Sequence, residues 1–204
     1  MITLAFDTCL DKTYITLNED NKIIKSEVVC SDSENYHSAY LISTIIKVLK
    51  SADITVKNLN YIATDIGPGS FTGIRACTTV ARVLAQQLNI KTIGVSSLEI
   101  LSKILGNNDM VVLDARKNKA YVYDNKILGA VDLGAVDELV KDRLVITDNS
   151  LLSRISKNAY KAISYQAGEY NLGDVLSLVS QKKQPQDWVH LKPLYIQPPP
   201  VFGK

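Results

Sequence analysis

A chain of 204 residues with 46% apolar and 22% charged side chains can bury one substantial core or two small ones, which excludes disordered and fibrous classes. A formal net charge of +2 is too small for a dedicated nucleic-acid binder, which usually carries a clear basic cluster, so any contact with RNA is expected to be shared with a partner. The three cysteines, Cys9, Cys30 and Cys77, have neither the CxxC spacing of a zinc site nor the density of a disulfide scaffold, and read as reduced thiols. Asp7 cuts the first apolar run short, and no stretch approaches the roughly 18 apolar residues of a membrane span. The expectation is a cytoplasmic protein, neither secreted nor membrane-spanning.

Ile2, Leu4 and Phe6 alternate with small residues, and Thr13 to Leu17 and Ile23 to Val29 flank the turn-rich Asn18-Glu19-Asp20-Asn21, which predicts a strand followed by a hairpin. The polar run Ser31-Asp32-Ser33-Glu34-Asn35 offers N-caps for a helix through about Ser51, and Tyr61 to Ile66 returns to strand. A glycine-rich turn, Gly67 to Gly73, leads into a second helix ending near Leu88; Lys91 to Val95 is another strand, and Ser96 or Ser97 caps a short helix that stops near Gly106. The order is βββαβαβα.

From Met110 the pattern comes round again. Asp7-x4-Lys12-x-Tyr14-Ile15 is matched by Asp114-x4-Lys119-x-Tyr121-Val122, each straddling a strand, a turn and the next strand, which points to two related lobes. The second copy reads as shorter: a helix near Ala135 to Lys141, a strand at Leu144 to Thr147, a helix from Asn149 and another from Gly173 to Ser180. Beyond Gln184 lie five of the six prolines, and proline neither continues a helix nor donates to a ladder. The expected domains are therefore 1–106, a smaller lobe at 107–184, and an extended tail at 185–204 free to pack on either lobe.

The most informative stretch is Gly67-Pro68-Gly69-Ser70-Phe71-Thr72-Gly73-Ile74-Arg75, between a strand and a helix. Glycines there let backbone N–H groups approach an anion at a helix N-terminus, but no Lys-Ser/Thr follows, so it is not a Walker loop. From the residues alone, phosphate binding and a closely packed turn stand level.

The helices carry more apolar surface than one sheet needs. At 100° per residue the first has Leu41, Ile42, Ile45, Ile46, Val48 and Leu49 within roughly 160°, read as core, with Tyr36, Tyr40 and Lys47 on the other side. In the second, Ile74, Ala76, Cys77, Val80, Ala81, Val83, Leu84, Ala85 and Leu88 fill roughly 200°, leaving a narrow stripe of Arg75, Thr78, Thr79, Arg82 and Gln86. Either the other lobe or a partner buries the excess.

Taken as a whole string, the glycine stretch resembles the GPGSFTG(L/I)R signature of the TsaB (YeaZ) family, accessory proteins of bacterial tRNA threonylcarbamoyladenosine (t6A) synthesis. Further matches follow in order: Asp7-Thr8, His37-Ser38, Gly94-Val95-Ser96-Ser97-Leu98-Glu99, Asp114-Ala115-Arg116 before Tyr121, and Pro193-Leu194-Tyr195-Ile196. The likeness is dense over roughly the first 125 residues and thin afterwards. It implies an α/β fold of two ribonuclease-H-like lobes of the actin/hexokinase/Hsp70 (ASKHA) type, the second lobe reduced. Gln197 stands where the family usually has a basic residue, so a contact made by the tail is expected to differ here.

The resemblance also implies what is missing. The catalytic paralogue, TsaD, holds its metal with an HxxxH pair on the helix where this chain has Ser97 and Leu101, and neither side chain replaces an imidazole. His37 and His190 have no third-ligand pattern and build no Ser/His/Asp or Cys/His set, so no catalytic residue and no metal is assigned. Asp7 and Asp114 occupy positions where nucleotide-binding members of the superfamily carry magnesium and phosphate ligands. Without a Gly-Gly adenosine loop, Gly168 and Gly173 standing alone, they read as turn carboxylates, with a vestigial nucleotide site the lesser reading.

The implied role is a non-catalytic subunit supporting a TsaD-type enzyme that transfers threonylcarbamoyl to the adenosine beside the anticodon. A TsaE-type ATPase would be a further partner, ATP and magnesium would be used by the complex rather than bound by this chain alone, tRNA would be met only within the complex, and the isolated chain would be a homodimer. The family pairs through its first two helices, so Tyr36, Tyr40, Lys47, Thr79 and Arg82 are the interface candidates. The alternative is an active ATPase or small-molecule kinase of the same fold, with nucleotide between Asp7, Asp114 and the glycine loop; a glycoprotease has no supporting constellation.

Overall fold

The computed structural model describes residues 1–30, 37–107 and 109–197. Two five-stranded sheets organise the chain. The first is built from β1 (Ile2–Asp7), β2 (Thr13–Glu19), β3 (Lys22–Val29), β4 (Leu59–Asp65) and β5 (Lys91–Val95) in the order β3-β2-β1-β4-β5. β1 pairs antiparallel with β2 and parallel with β4, β2 pairs antiparallel with β3, and β4 pairs parallel with β5. Leu4, Ala5 and Phe6 on the central strand are fully buried because helices cover both faces.

The second sheet comprises β6 (Met110–Arg116), β7 (Lys119–Tyr123), β8 (Ile127–Asp132), β9 (Leu144–Thr147) and β10 (Lys161–Ser164). Its order, β8-β7-β6-β9-β10, and its strand senses repeat those of the first. The duplication expected from the two Asp-x4-Lys-x-Tyr runs is thus present as two ribonuclease-H-like sheets, a two-lobed α/β fold. What is reduced in the second lobe is its helices: α4 (Leu133–Leu139) and α5 (Asn149–Asn158) have 7 and 10 residues, against 11 and 18 in the first-lobe pair, α1 (Leu41–Ser51) and α2 (Phe71–Leu88). Valines and leucines from β6, β7, β9, α4 and α5 form its core, around Val112, Val122, Val136, Val145, Leu151 and Ile155.

In the first lobe, Leu4, Phe6, Ile15, Leu17 and Ile62 meet Leu41, Ile45, Val48 and Leu49 of α1 and Ile74, Cys77, Ala81 and Ala85 of α2 in one cluster. A short 3-10 turn, His37–Tyr40, precedes α1, and the polar residues expected to cap that helix lie outside the described residues. α1 differs from its reading in one respect: Ile42 and Ile46, assigned to the core, are exposed. The sheet contacts an arc centred on Leu41, Ile45 and Val48, and residues one step round the helix fall on its flank. α3 is the short helix Ser97–Leu101.

The division at residues 106 and 184 needs correction. Among the described residues the two compact units are Met1–Ile100 with Asn171–Pro193, and Leu101–Tyr170 with 194–197. α6 (Leu172–Ser180), expected in the second lobe, packs on β1, β2, β4 and β5 of the first. Nor is the segment after Gln184 only an extended tail: Gln186 exchanges two 2.8 Å backbone hydrogen bonds with Thr92, Trp188–His190 form a 3-10 turn, and Leu191 is fully buried in the first core.

Asn171 caps α6 by accepting from the Gly173 and Asp174 N–H groups, and Asp174 then accepts from Thr16 Oγ1 (2.8 Å) and Ser26 Oγ (2.5 Å). Thr16 is fully buried, so this carboxylate is the acceptor that makes its burial tolerable. Asp174→Ala is expected to lower unfolding free energy by about 2 kcal/mol in urea titrations, and the loss should shrink when Thr16→Val is added, because the fully buried hydroxyl is then gone.

Candidate functional site

The glycine loop joins β4 to α2, and three of its N–H groups are engaged within the protein. Gly67 N–H donates to Asp65 Oδ1 (2.6 Å), Ser70 N–H to the Cys9 carbonyl (2.7 Å), and Gly73 N–H to Ser70 Oγ (3.3 Å), which caps α2. A Cβ on Gly69 or Gly73 would run into the carbonyl oxygens of Cys9 and Thr8. The geometry therefore favours the closely packed turn over an anion cradle: these glycines bring the start of α2 onto the backbone that follows β1.

Beneath this contact lies a fully buried polar cluster. Thr8 N–H donates to Cys77 Sγ (3.2 Å), and the Thr8 hydroxyl lies 3.3 Å from the same sulfur and donates to the Gly73 carbonyl (3.2 Å). Cys9 N–H donates to Asp7 Oδ1 (2.5 Å), and Cys9 Sγ donates to the Asp65 carbonyl (3.6 Å). Ser97 Oγ sits 2.8 and 2.7 Å from the two Asp65 carboxylate oxygens and donates to them. Asp7 Oδ2 has no hydrogen-bond partner. Among the described residues, one group of metal-ligating atoms comes together here: an Asp7 oxygen and the sulfurs of Cys9 and Cys77, all within 4.8 Å of one another.

Burial, reinforced by Cys77, pushes the Asp7 carboxyl up to about 8. Burial and the neighbouring Asp7 push Asp65 up as well, and burial raises the Cys9 thiol. Burial also opposes ionisation of Cys77, but hydrogen bonds from Cys9, Thr8 and Thr64 outweigh it and hold that thiol below its usual range. Two adjoining carboxyls in a dry core retain a proton, because desolvation disfavours the charged form of each.

Asp7 and Asp114 form the same local turn, each accepting the N–H two residues on; for Asp114 this is Arg116 N–H at 2.7 Å. Their surroundings differ: Asp7 is inaccessible, whereas Asp114 is exposed. At the two positions where the paralogue's histidines would stand, Ser97 is bound to Asp65 and Leu101 is fully buried. His190 ends the 3-10 turn beginning at Trp188.

The second candidate surface is the outer side of α1 and α2. Phe71, Arg75, Thr79 and Val83 form an i, i+4 row of exposed residues on α2, with Val83 51% and Phe71 40% accessible. The Arg75 guanidinium stacks 4.5 Å over the Phe71 ring. A depression of about 420 Å³ is lined by Phe71, Thr72, Arg75, Ala76, Thr79 and Val80. On α1, Tyr40 (45%), Ile42 (50%) and Ile46 (47%) are exposed. Of the sequence candidates, Thr79 and Tyr40 lie on these surfaces, Lys47 pairs with Glu27 at 2.6 Å, Arg82 sits 5.8 Å from the Trp188 ring, and Tyr36 lies outside the described residues. Sequence reasoning missed Ile42, Ile46, Phe71 and Val83 as exposed apolar groups; the four-residue spacing of Phe71 and Val83 with Arg75 and Thr79 was the available signal.

Two outcomes follow. Alanine at an open helical position is favoured over glycine by about 1 kcal/mol, yet Gly73→Ala is expected to destabilise by about 2–3 kcal/mol through overpacking against the Thr8 carbonyl, read from chemical unfolding. Because the folded carboxyl of Asp7 titrates near 8 and the unfolded one near 4, the native state binds the extra proton between those values. Its stabilisation is complete below about pH 4 and is lost as pH rises toward 8. In EDTA-containing buffer, the parent should lose up to about 1.4 kcal/mol per pH unit relative to Asp7→Asn across that window, and parallel stability curves for the two proteins would contradict the assignment.

Comparison with known proteins finds a family model described as TsaD, tRNA N6-adenosine threonylcarbamoyltransferase, matching residues 20–174. The tRNA threonylcarbamoyladenosine biosynthesis protein TsaB of Buchnera aphidicola subsp. Schizaphis graminum is 40% identical over 105 residues, 50% of this chain and 47% of that protein. TsaB of Bacillus subtilis is 32% identical over 138 residues, 64% of this chain and 59% of that protein. The chain spans about half the length of the curated relatives it matches. Among solved structures, YeaZ from Pseudomonas aeruginosa superposes with a TM-score of 0.74 at 19% identity, covering 95% of this chain and 99% of that one. An uncharacterized protein similar to peptidase YEAZ, also from Pseudomonas aeruginosa, gives 0.77 at 20% identity over 96% and 99% of the two chains. At these identities the structural likeness speaks for the fold.

Proposed function

Because the chain belongs to the TsaD-type threonylcarbamoyltransferase family, in its TsaB (YeaZ) branch, we propose that it takes part in t6A biosynthesis as a non-catalytic subunit supporting a TsaD-type enzyme. The observation that carries the accessory role is the pair Ser97 and Leu101. Where a metal-holding enzyme of the family needs two imidazoles, this chain has a hydroxyl bound to a buried carboxylate and a leucine in the core. The close packing of Gly69 and Gly73 on the Cys9 and Thr8 carbonyls and the inaccessibility of Asp7 weigh in the same direction.

Support for a partner comes from the outer side of α1 and α2. Tyr40, Ile42 and Ile46 on α1 and Phe71 and Val83 on α2 are exposed, and Phe71, Thr72, Arg75, Ala76, Thr79 and Val80 line a shallow depression on α2; small residues let another helix approach while large ones anchor it. In this reading the TsaD-type subunit occupies that surface, a second copy takes it when the chain is alone, and tRNA is met only in the assembly. Among the described residues no helix is long and apolar enough to cross a membrane.

The test is incorporation of labelled threonine into unmodified tRNA with ATP, bicarbonate and the other proteins of the pathway, with and without this chain. Incorporation should require both this chain and the TsaD-type subunit, and Val83→Glu should reduce it at least tenfold, a loss of about 1.4 kcal/mol in assembly, while leaving the melting temperature of the isolated monomeric variant unchanged. Incorporation that proceeds equally without this chain removes the accessory role.

A further inference from the structure

The buried cluster under the start of α2 has an electrostatic problem that the proposed function does not use. Four acidic groups meet there, Asp7, Asp65, Cys9 and Cys77, with side-chain exposures of 2% or less, and among the described residues none takes part in an ion pair. Asp7 Oδ1 is held by the Cys9 N–H, so the carboxylate cannot turn away. Its other oxygen is fully buried without a hydrogen-bond donor, in the company of two sulfurs. A buried carboxylate oxygen left in that state is costly, and such cases are resolved by a retained proton, a partner or an ion.

We propose that Asp7, Cys9 and Cys77 form a structural metal site for zinc. Two thiolates and a carboxylate are a donor set that suits zinc and suits neither calcium nor magnesium, which take oxygen ligands. Zn–S and Zn–O bonds of about 2.3 and 2.0–2.2 Å place tetrahedral ligand atoms about 3.5–3.8 Å apart. The three atoms, within 4.8 Å of one another, reach that spacing by contracting about 1 Å. The carboxyl of Asp65 adjoins Asp7 but lies outside that group of three, so it completes the tetrahedron by turning from Ser97 and Gly67 and giving up its own proton. The metal takes the place of the protons on the two thiols and on Asp7, which are released to solvent. With no solvent-open position the site is structural: it ties the end of β1, the turn after it and α2 together at the backbone contact made by Gly69 and Gly73. Because the ligands are inaccessible, the metal enters as the chain folds.

The full-length chain, expressed with zinc and purified without chelator, is expected to carry about one zinc per chain by elemental analysis, the stoichiometry of a single tetrahedral site. Cys30 is exposed and outside the cluster, so Cys30→Ser should keep the metal, whereas Cys9→Ser and Cys77→Ser should each lose most of it. Should those two variants fail to fold, the parent refolded with cobalt(II) provides the second measurement: a near-ultraviolet thiolate-to-cobalt band and tetrahedral visible bands. Removal of zinc by EDTA during refolding should lower the melting temperature. Three results overturn the site: a parent that is metal-free both as purified and after refolding with zinc chloride, a parent whose Cys9 and Cys77 are joined in a disulfide by peptide mass analysis, or zinc retained by the folded Cys9→Ser/Cys77→Ser double variant.

Discussion

The backbone of Gly69 to Gly73 lies directly on the backbone of Thr8 and Cys9, with Ser70 N–H bonded to the Cys9 carbonyl and no room for a side chain at either glycine. That approach fixes where α2 begins relative to the central strand, and other features depend on it. It seals Asp7, Cys9 and Cys77 from water, and it sets the rotation of α2 about its axis. With Ile74, Cys77, Ala81 and Ala85 turned into the core, the row from Phe71 to Val83 has to face outward. Polar cluster and apolar surface are thus two sides of one helix held by one contact.

The two lobes show how the same sheet order tolerates different local uses. Asp7 and Asp114 close equivalent strands with equivalent turns, yet one carboxylate is buried and the other lies in water. The residues ending β4 and following β9 diverge in the same way: Asp65 is bound by Ser97 and Gly67, while Asp148 caps α5 through the Leu151 N–H. Repetition of the backbone plan leaves side-chain chemistry free to change, because the ladder bonds that define the sheet involve none of these groups.

Much of this was legible in the amino-acid order. The first strand alternates cleanly, a turn-rich run marks the hairpin that follows, α2 carries a cap and a helical period, and the paired Asp-x4-Lys-x-Tyr runs announce the duplication. β8 and β10 escaped because they are edge strands: Gly129 interrupts the apolar run of one, and the other is only Lys-Ala-Ile-Ser. The sheet that α6 covers was not readable, since an amphipathic period says that a face is buried and nothing about against what. The two readings of the glycine loop differ only in what lies opposite it, and the Thr8 and Cys9 carbonyls come from some sixty residues earlier in the chain. Cys9 and Cys77 looked unrelated for the same reason, and the burial of Asp7 depends on α2, not on its own neighbours in sequence.

The return of α6 and the following turn to the first unit makes the body of the second unit, Leu101–Tyr170, an insertion between Ile100 and Asn171. During translation the first sheet emerges with one face already covered by α1 and α2, and the other must wait until the whole inserted lobe has left the ribosome. The inserted lobe is contiguous through Tyr170 and its strand pairings are complete by Ser164, so it is free to collapse while the earlier-made sheet still exposes the apolar residues that Leu172, Leu176 and Val179 will cover. Order of synthesis and order of completion are therefore reversed in this chain, and the half-covered sheet is the state most in need of protection by a chaperone in a growing cell.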